Sequence, residues 1–281
     1  MAATLTDTTL GAVERALAEQ RPAEVQRTSV MTHLVWAPKP WLAKAEQTLA
    51  GMAERHPSRT VILTPEPRRK DGLDATVDVV CFEVEGSEQA VSSEVVELRL
   101  KGGRAKAPAS IVQPLLIPDL PVFCRWRGEP PWGTDELDQL VGVVDRLVVD
   151  STEWKGIPAA FDRLVDLFGS VAVSDIAWTR TREWRIRLAE LWPDIRLAGS
   201  LEVTGPRAEA LLLAGWLRSR LRKHVDLVQR NGTTLRRVAV DGERIEPPGA
   251  DALTASDLLS EQLDVFGRDP VYEQAVAAAS Q

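Results

Sequence analysis

Apolar and polar positions change period several times along the chain, and the changes mark its elements. Asp7 and Thr8 can cap a helix in which Leu10, Val13 and Leu17 recur at three-and-four spacing, ending near Pro22. Over residues 27–37 the pattern is strand-like and peaks at Leu34-Val35-Trp36. Pro38 and Pro40 then punctuate the entry to a helix over 41–55, and 59–64 is the next strand. Strand, helix and strand of these lengths predict a right-handed crossover between parallel strands. Between 64 and 74, Pro65, Pro67, Arg68, Arg69, Lys70 and Gly72 predict a mobile loop with no element of its own. Residues 76–84 and 92–101 are both strand-like. The connection over 85–91 allows an antiparallel pair but no crossover helix, so the sheet is expected to be mixed.

The stretch from Ser110 to Gly128 is an α-to-β junction. Its short apolar helix is stopped by Pro118 and Pro121, which also push Ile117 and Leu120 toward extended geometry and so set the boundary of the strand that follows. A helix over 135–141 leads to a strand at 147–149; helices are expected over 157–168 and, unbroken, over 175–192. A second strand-helix-strand unit follows at 201–204, 206–222 and 225–229. Asn231-Gly232 is a hairpin signal joining it to a strand at 235–240, and two last helices cover 253–266 and 270–279. The fold class expected is α/β in two domains, a larger N-terminal mixed sheet with helices on its faces and a smaller C-terminal three-stranded α/β domain. The boundaries are 1–30 for an N-terminal helix and extension, 31–152, a helical bridge at 153–194, and 195–281.

Composition sharpens this in a few places. The 281 residues, 44% hydrophobic, suffice for two cores of ordinary size. A net charge of −7 gives no electrostatic reason to expect a nucleic-acid or anionic-membrane partner. No run reaches the roughly 18 apolar residues of a membrane span, and no signal peptide is evident, so a cytoplasmic protein is expected. Cys81 and Cys124 each lie in an apolar strand-like run, where cysteine is commonly a small buried hydrophobe. Nine tryptophans against one tyrosine leave several as candidates for contact surfaces.

Candidate chemistry is sparse. His33, His56 and His224 stand apart in sequence and there is no Cys-x-x-Cys, so no metal site is expected. Glycine-rich phosphate loops and a Gly-x-Ser-x-Gly elbow are absent, so no cofactor and no catalytic residue is assigned. His56, Ser58 and Arg59 form a possible anion-binding corner where a helix end meets a strand; the plainer reading is a helix stop, with His56 on the last carbonyls and Pro57 ending the helix. Arg125, Trp126 and Arg127 close a strand, the arginines on one side and the tryptophan on the other. They either pair with acids such as Glu129 or Asp150 or reach a partner. On a helical projection of 175–192, Ala177, Thr181, Trp184, Leu188 and Leu191 form one stripe, with Trp178, Arg182 and Arg185 along one border and Arg180 and Arg187 along the other. The stripe reads as core. Its arginines either snorkel over it or, with Trp178 and Trp184, make a partner surface.

Several of these segments together resemble the glucose-6-phosphate dehydrogenase assembly protein family, usually called OpcA. The resemblance lies in the proline-bracketed leucine run with Leu120-Pro121-Val122-Phe123 and its Trp-Arg-Gly end, and in His56-Pro57-Ser58-Arg59 before a Val-Ile-Leu strand. It continues through Asp145 to Ser151 and through Asp175 to Arg180 with Trp184-Arg185. These fall in one order over 32–192; beyond 200 the likeness is one of layout. The resemblance implies a non-catalytic assembly factor that binds glucose-6-phosphate dehydrogenase in the oxidative pentose phosphate pathway and promotes its active oligomer. It also implies sensitivity to thiol redox state in some relatives, against which two buried cysteines would argue. The alternatives kept open are a sugar-phosphate-binding enzyme or metabolite sensor using Arg59, Arg125 and Arg127, and a self-associating scaffold.

Overall fold

The structure is a computed structural model that describes residues 2–21, 29–50, 52, 55–83, 90–249 and 253–280. The chain forms two compact units, one of residues 1–148 and 255–264 and the other of residues 149–254 and 265–281. The fold is α/β with a large mixed sheet and a smaller C-terminal one.

The first unit contributes seven strands: β1 (Ala3–Leu5), β2 (Met31–Trp36), β3 (Ser58–Glu66), β4 (Gly72–Glu83), β5 (Ala90–Lys101), β6 (Val122–Trp126) and β7 (Arg146–Val149). They lie in the order β1-β4-β5-β3-β2-β6-β7. β2 is parallel to both β3 and β6, whereas β4 and β5 form the expected antiparallel pair. Every residue of β2, β6 and β7 is buried, the condition of parallel strands covered on both faces. The helices are α1 (Leu10–Gln20), α2 (Leu42–Ala50), α3 (Pro108–Val112), α4 (Asp135–Val141) and, from the far end of the sequence, α9 (Ala255–Leu263). On the sheet, α2 packs Ala45 against Val35, Ala37 and Ile62.

Three expectations change here. Thr9, not Asp7 or Thr8, caps α1, because the Asp7 amide is held by Asp74 of β4 at 3.0 Å. The loop expected over 64–74 is shorter, residues 67–71 between two strands. β3 runs on to Glu66, and Pro65 lies past Leu63, the last residue paired with β2, where one side of the strand is open and a missing N–H is tolerated. Cys81 is exposed; only Cys124 is buried, and burial pushes its thiol up to about 12. Gly128, ending the α-to-β junction, has φ +78°, and a Cβ there would lie 2.9 Å from Trp41 Nε1, so glycine is required.

The second unit holds α5 (Ala159–Leu167), β8 (Ala172–Asp175), α6 (Ile176–Arg180), α7 (Arg182–Glu190), β9 (Ser200–Gly205), α8 (Arg207–Leu221), β10 (Asp226–Asn231), β11 (Arg237–Val240), β12 (Glu243–Arg244) and α10 (Pro270–Ala279). Residues 153–194 thus contain a strand as well as helices. The helix expected over 175–192 is two helices, because the Thr181 hydroxyl donates to the Trp178 carbonyl at 2.7 Å and competes with the helical ladder. The expected stripe is core all the same: Ala177, Thr181, Trp184 and Leu188 are buried.

The smaller sheet has four strands, not three, in the order β10-β9-β11-β12. β11 pairs with β9, not β10, so Asn231-Gly232 does not make the expected hairpin; the crossover through α8 leaves β9 in the middle with both sides to fill. The tight hairpin is at Asp241-Gly242, both at positive φ, between β11 and β12. Beneath the sheet, α8 lies so close to α10 that a Cβ on Gly215 would be 2.1 Å from the Ala275 carbonyl oxygen. No helix among the described residues is long and apolar enough to cross a membrane.

Candidate interaction site

The second unit gathers charge where its strands and helices end. After β8, Asp175 caps α6, its Oδ1 accepting from the Ala177 amide at 2.9 Å and from the Ser151 amide at 3.0 Å. Tyr272 of α10 donates its hydroxyl to the other oxygen at 3.3 Å. One turn further, the Arg180 fork grips Asp150 with two bonds of 2.8 and 3.0 Å, the bidentate geometry that suits a guanidinium. Glu209, buried on α8, stands 3.7 Å from the same guanidinium.

Burial decides how this cluster is charged. Burial first, and then Asp150, push Asp175 up to about 6. Glu209 is pushed up to about 7 because burial outweighs the attraction of Arg180, which is committed to Asp150 at shorter range. Burial also raises the Tyr272 hydroxyl, helped by Asp175. Perturbed carboxyls of this kind mark functional sites and structural networks alike. Here they hold the chain turn at 150–154 to α6, α8 and α10 of the same unit.

Upon this base sits an aromatic clamp. Trp178 is buried; its indole N–H donates to Asp269 at 2.9 Å, and Arg185 lies over its ring at 3.4 Å from the centroid. Burial lowers Arg185 to about 10, with Asp269 opposing. Trp184 is buried in the core between α7, α8 and β9. Both tryptophans expected on a partner surface are therefore inside the unit.

Among the apolar side chains that the unit exposes, three lie a few residues on. Ile186 is 45% exposed, Trp192 63% and Leu197 83%. Arg196 approaches Trp192 at 5.6 Å from its ring, and Arg182 is exposed on α7. α7 ends at Glu190, and Pro193 leads into the 3₁₀ turn Asp194–Leu197. A tryptophan directly before a proline, with an arginine and a leucine to follow, was the readable signal for this patch.

The other expected groups are separate from it. Arg125 and Arg127 are buried: Arg125 donates to the Trp126 and Val148 carbonyls, and Arg127 lies 5.2 Å over the Trp41 ring. Trp126 is stacked on Trp36 at 4.9 Å. The corner of His56, Ser58 and Arg59 does not converge on a ligand. Arg59 is buried against Glu94 at 2.6 Å and the Leu115 carbonyl at 2.8 Å, Ser58 bonds Thr60, and His56 bonds Ser260 of α9. Glu94 takes Arg59 on one carboxylate oxygen and Arg21 on the other, so the Arg59 side chain is committed within the fold. Among the described residues no group of three or more His, Cys, Asp or Glu is placed to hold a metal ion.

The second unit thus combines a charge-stapled base with the exposed side chains of Ile186, Trp192 and Leu197. The chain belongs to the glucose-6-phosphate dehydrogenase assembly (OpcA) family: the family's "Glucose-6-phosphate dehydrogenase subunit N-terminal domain" matches residues 50–166 and its C-terminal domain matches residues 171–249. The likeness therefore extends past residue 200, where only layout was expected. Curated relatives carry the name OxPP cycle protein OpcA. The one from Synechococcus elongatus is 29% identical over 60% of this chain and 41% of its own length, and the one from Nostoc punctiforme 27% identical over 60% and 39%. The match thus spans about two fifths of these relatives' own length. No solved structure matches the chain.

Proposed function

We propose that this chain is a non-catalytic assembly factor that binds glucose-6-phosphate dehydrogenase in the cytoplasm and promotes its active oligomer, acting as an allosteric activator in the pentose phosphate pathway. The observation that carries the reading, beside family membership, is the exposure of Ile186, Trp192 and Leu197 within twelve residues of sequence, with Arg196 beside the Trp192 ring and Arg182 exposed on the helix of Ile186. Tryptophan and arginine around a small apolar centre are the residue types in which binding energy concentrates. Linkage does the rest. A protein that binds the assembled enzyme more tightly than its separate subunits shifts the equilibrium by that difference in affinity, with no covalent step.

The test is to mix the purified chain with dehydrogenase from the same organism and to follow mass by light scattering alongside turnover. A complex of defined mass with raised activity is expected, and Trp192→Ala with Leu197→Asp should abolish both effects. Full assembly and turnover of the enzyme alone, with no complex at micromolar concentrations, defeats the proposal.

A further inference from the structure

The first unit contains a cavity of about 330 Å³ between its sheet and the α2–α9 layer. His33 of β2, Thr60 of β3, and Val95 and Glu97 of β5 supply the sheet side; Leu49 and Leu263 supply the helix side. α9 is fastened over it by Ser256, whose hydroxyl donates to the Thr48 carbonyl at 2.7 Å, and by the His56–Ser260 hydrogen bond. An engineered cavity of about 150 Å³ elsewhere holds benzene, so this one has room for a small arylalkyl molecule.

Two features select what enters. His33 is only 2% exposed, lines the cavity, and its Nε2 has no hydrogen-bond partner among the described residues. A buried ring nitrogen so placed costs stability until something bonds it. Burial, with His56 and Arg125 near, lowers the ring to about 3, so it is neutral and one nitrogen is an acceptor. The second feature is the sign of the charge. Glu46 and Glu97 line the cavity and, among the described residues, no lysine or arginine does. Burial and then Glu46 raise Glu97 above its ordinary value, with Arg99 opposing.

We propose that this cavity binds a small organic cation, an amine or amidinium on an apolar body, with its N–H groups donated to His33 and Glu97 and its body against Leu49, Val95 and Leu263. The same chemistry excludes phosphates, so the sugar-phosphate ligand considered from sequence does not fit here. Bound, the cation fills the space beneath α9 and stabilises the first unit by mass action.

Benzamidine and phenethylamine serve as probes, with glucose 6-phosphate as the anionic counterpart, in thermal-shift and calorimetric titrations of the full chain. The expected result is saturable binding of at least one amine and none of glucose 6-phosphate. Val95→Trp, which fills the cavity, should abolish that binding. His33→Leu should weaken it about tenfold, the loss of one bond to a buried group, without lowering the Tm of the unliganded protein. Should Val95→Trp not fold, Glu97→Gln at a half-buried position serves instead, with about a fivefold loss expected. No saturable amine binding up to about 10 mM overturns the proposal. So does undiminished binding to the variant used, or glucose 6-phosphate competing with the amines.

Discussion

Glu209 offers a sharp test of the ionic network, because its charge state controls stability in a known direction. The carboxyl is buried on α8, its ordinary value is 4.5, and the fold holds it at about 7. Between those two values the folded chain binds more protons here than the unfolded chain. Stability therefore falls as pH rises from 4.5 through 7 and levels off above about 8. The distance from 4.5 to about 7 corresponds to about 3 kcal/mol as an upper bound. Glu209→Gln keeps the shape and removes the titration. At pH 5 the variant should lie within about 1 kcal/mol of the parent, since the folded carboxyl is neutral there and only the unfolded chain has begun to ionise. At pH 8.5 it should be more stable by about 2 kcal/mol, the bound being reduced because the amide does not reproduce every contact of the acid. Urea unfolding followed by tryptophan fluorescence at pH 5, 7 and 8.5 reads this directly. If Glu209→Gln is instead less stable at pH 8.5, the pairing of the carboxylate with Arg180 outweighs burial and the upward shift of Glu209 is refuted.

The two classes of tryptophan should separate cleanly. Trp192→Ala is expected to leave urea midpoints within about 0.5 kcal/mol of the parent while costing about 2–4 kcal/mol of binding to the dehydrogenase, whereas Trp178→Ala should cost about 3–5 kcal/mol of stability; unfolding curves and binding isotherms together decide. Gly215→Ala trades a gain in helix propensity for an overlap with the α10 backbone that no side-chain motion relieves, so a net loss of about 1–3 kcal/mol is expected, and an unchanged or higher Tm refutes the close approach of α8 and α10. Glu94 is held below its ordinary value of 4.5 by Arg59 and Arg21 although burial opposes them, so its contribution is present above 4.5 and is lost as pH falls through the lowered value. Glu94→Gln, which leaves the Arg59 charge buried, should cost about 3–5 kcal/mol at pH 7 and flatten the acid limb of the pH–stability curve. A maleimide should label Cys81 in the folded chain and reach Cys124 only on unfolding, because Cys124 is buried with its thiol pushed up to about 12; equal labelling of both contradicts that placement.

Much of the scaffold was legible from local pattern. The apolar runs at Leu34-Val35-Trp36 and Leu147-Val148-Val149 announced strands, which the fold buries on both faces, and the short 85–91 connection announced an antiparallel pair. Pro118 and Pro121 fixed the approach to β6, and the family resemblance rested on these same stretches. The apolar stripe on 177–188 was correct even where the helix was not continuous.

What periodicity could not supply was partnership. A repeat tells which face of an element is apolar but not which element covers it, so β9 rather than β10 receiving β11, and the hairpin at Asp241-Gly242 rather than Asn231-Gly232, emerged only in three dimensions. The same holds for charge. Asp150, Asp175, Arg180, Glu209 and Tyr272 are scattered over more than a hundred residues of sequence, and nothing local marks them as a set. Trp178 and Trp192 look alike as residues. Asp269 and Arg185 enclose one while the other stays exposed, because burial depends on contacts between distant segments while sequence pattern records only the preference of each segment by itself.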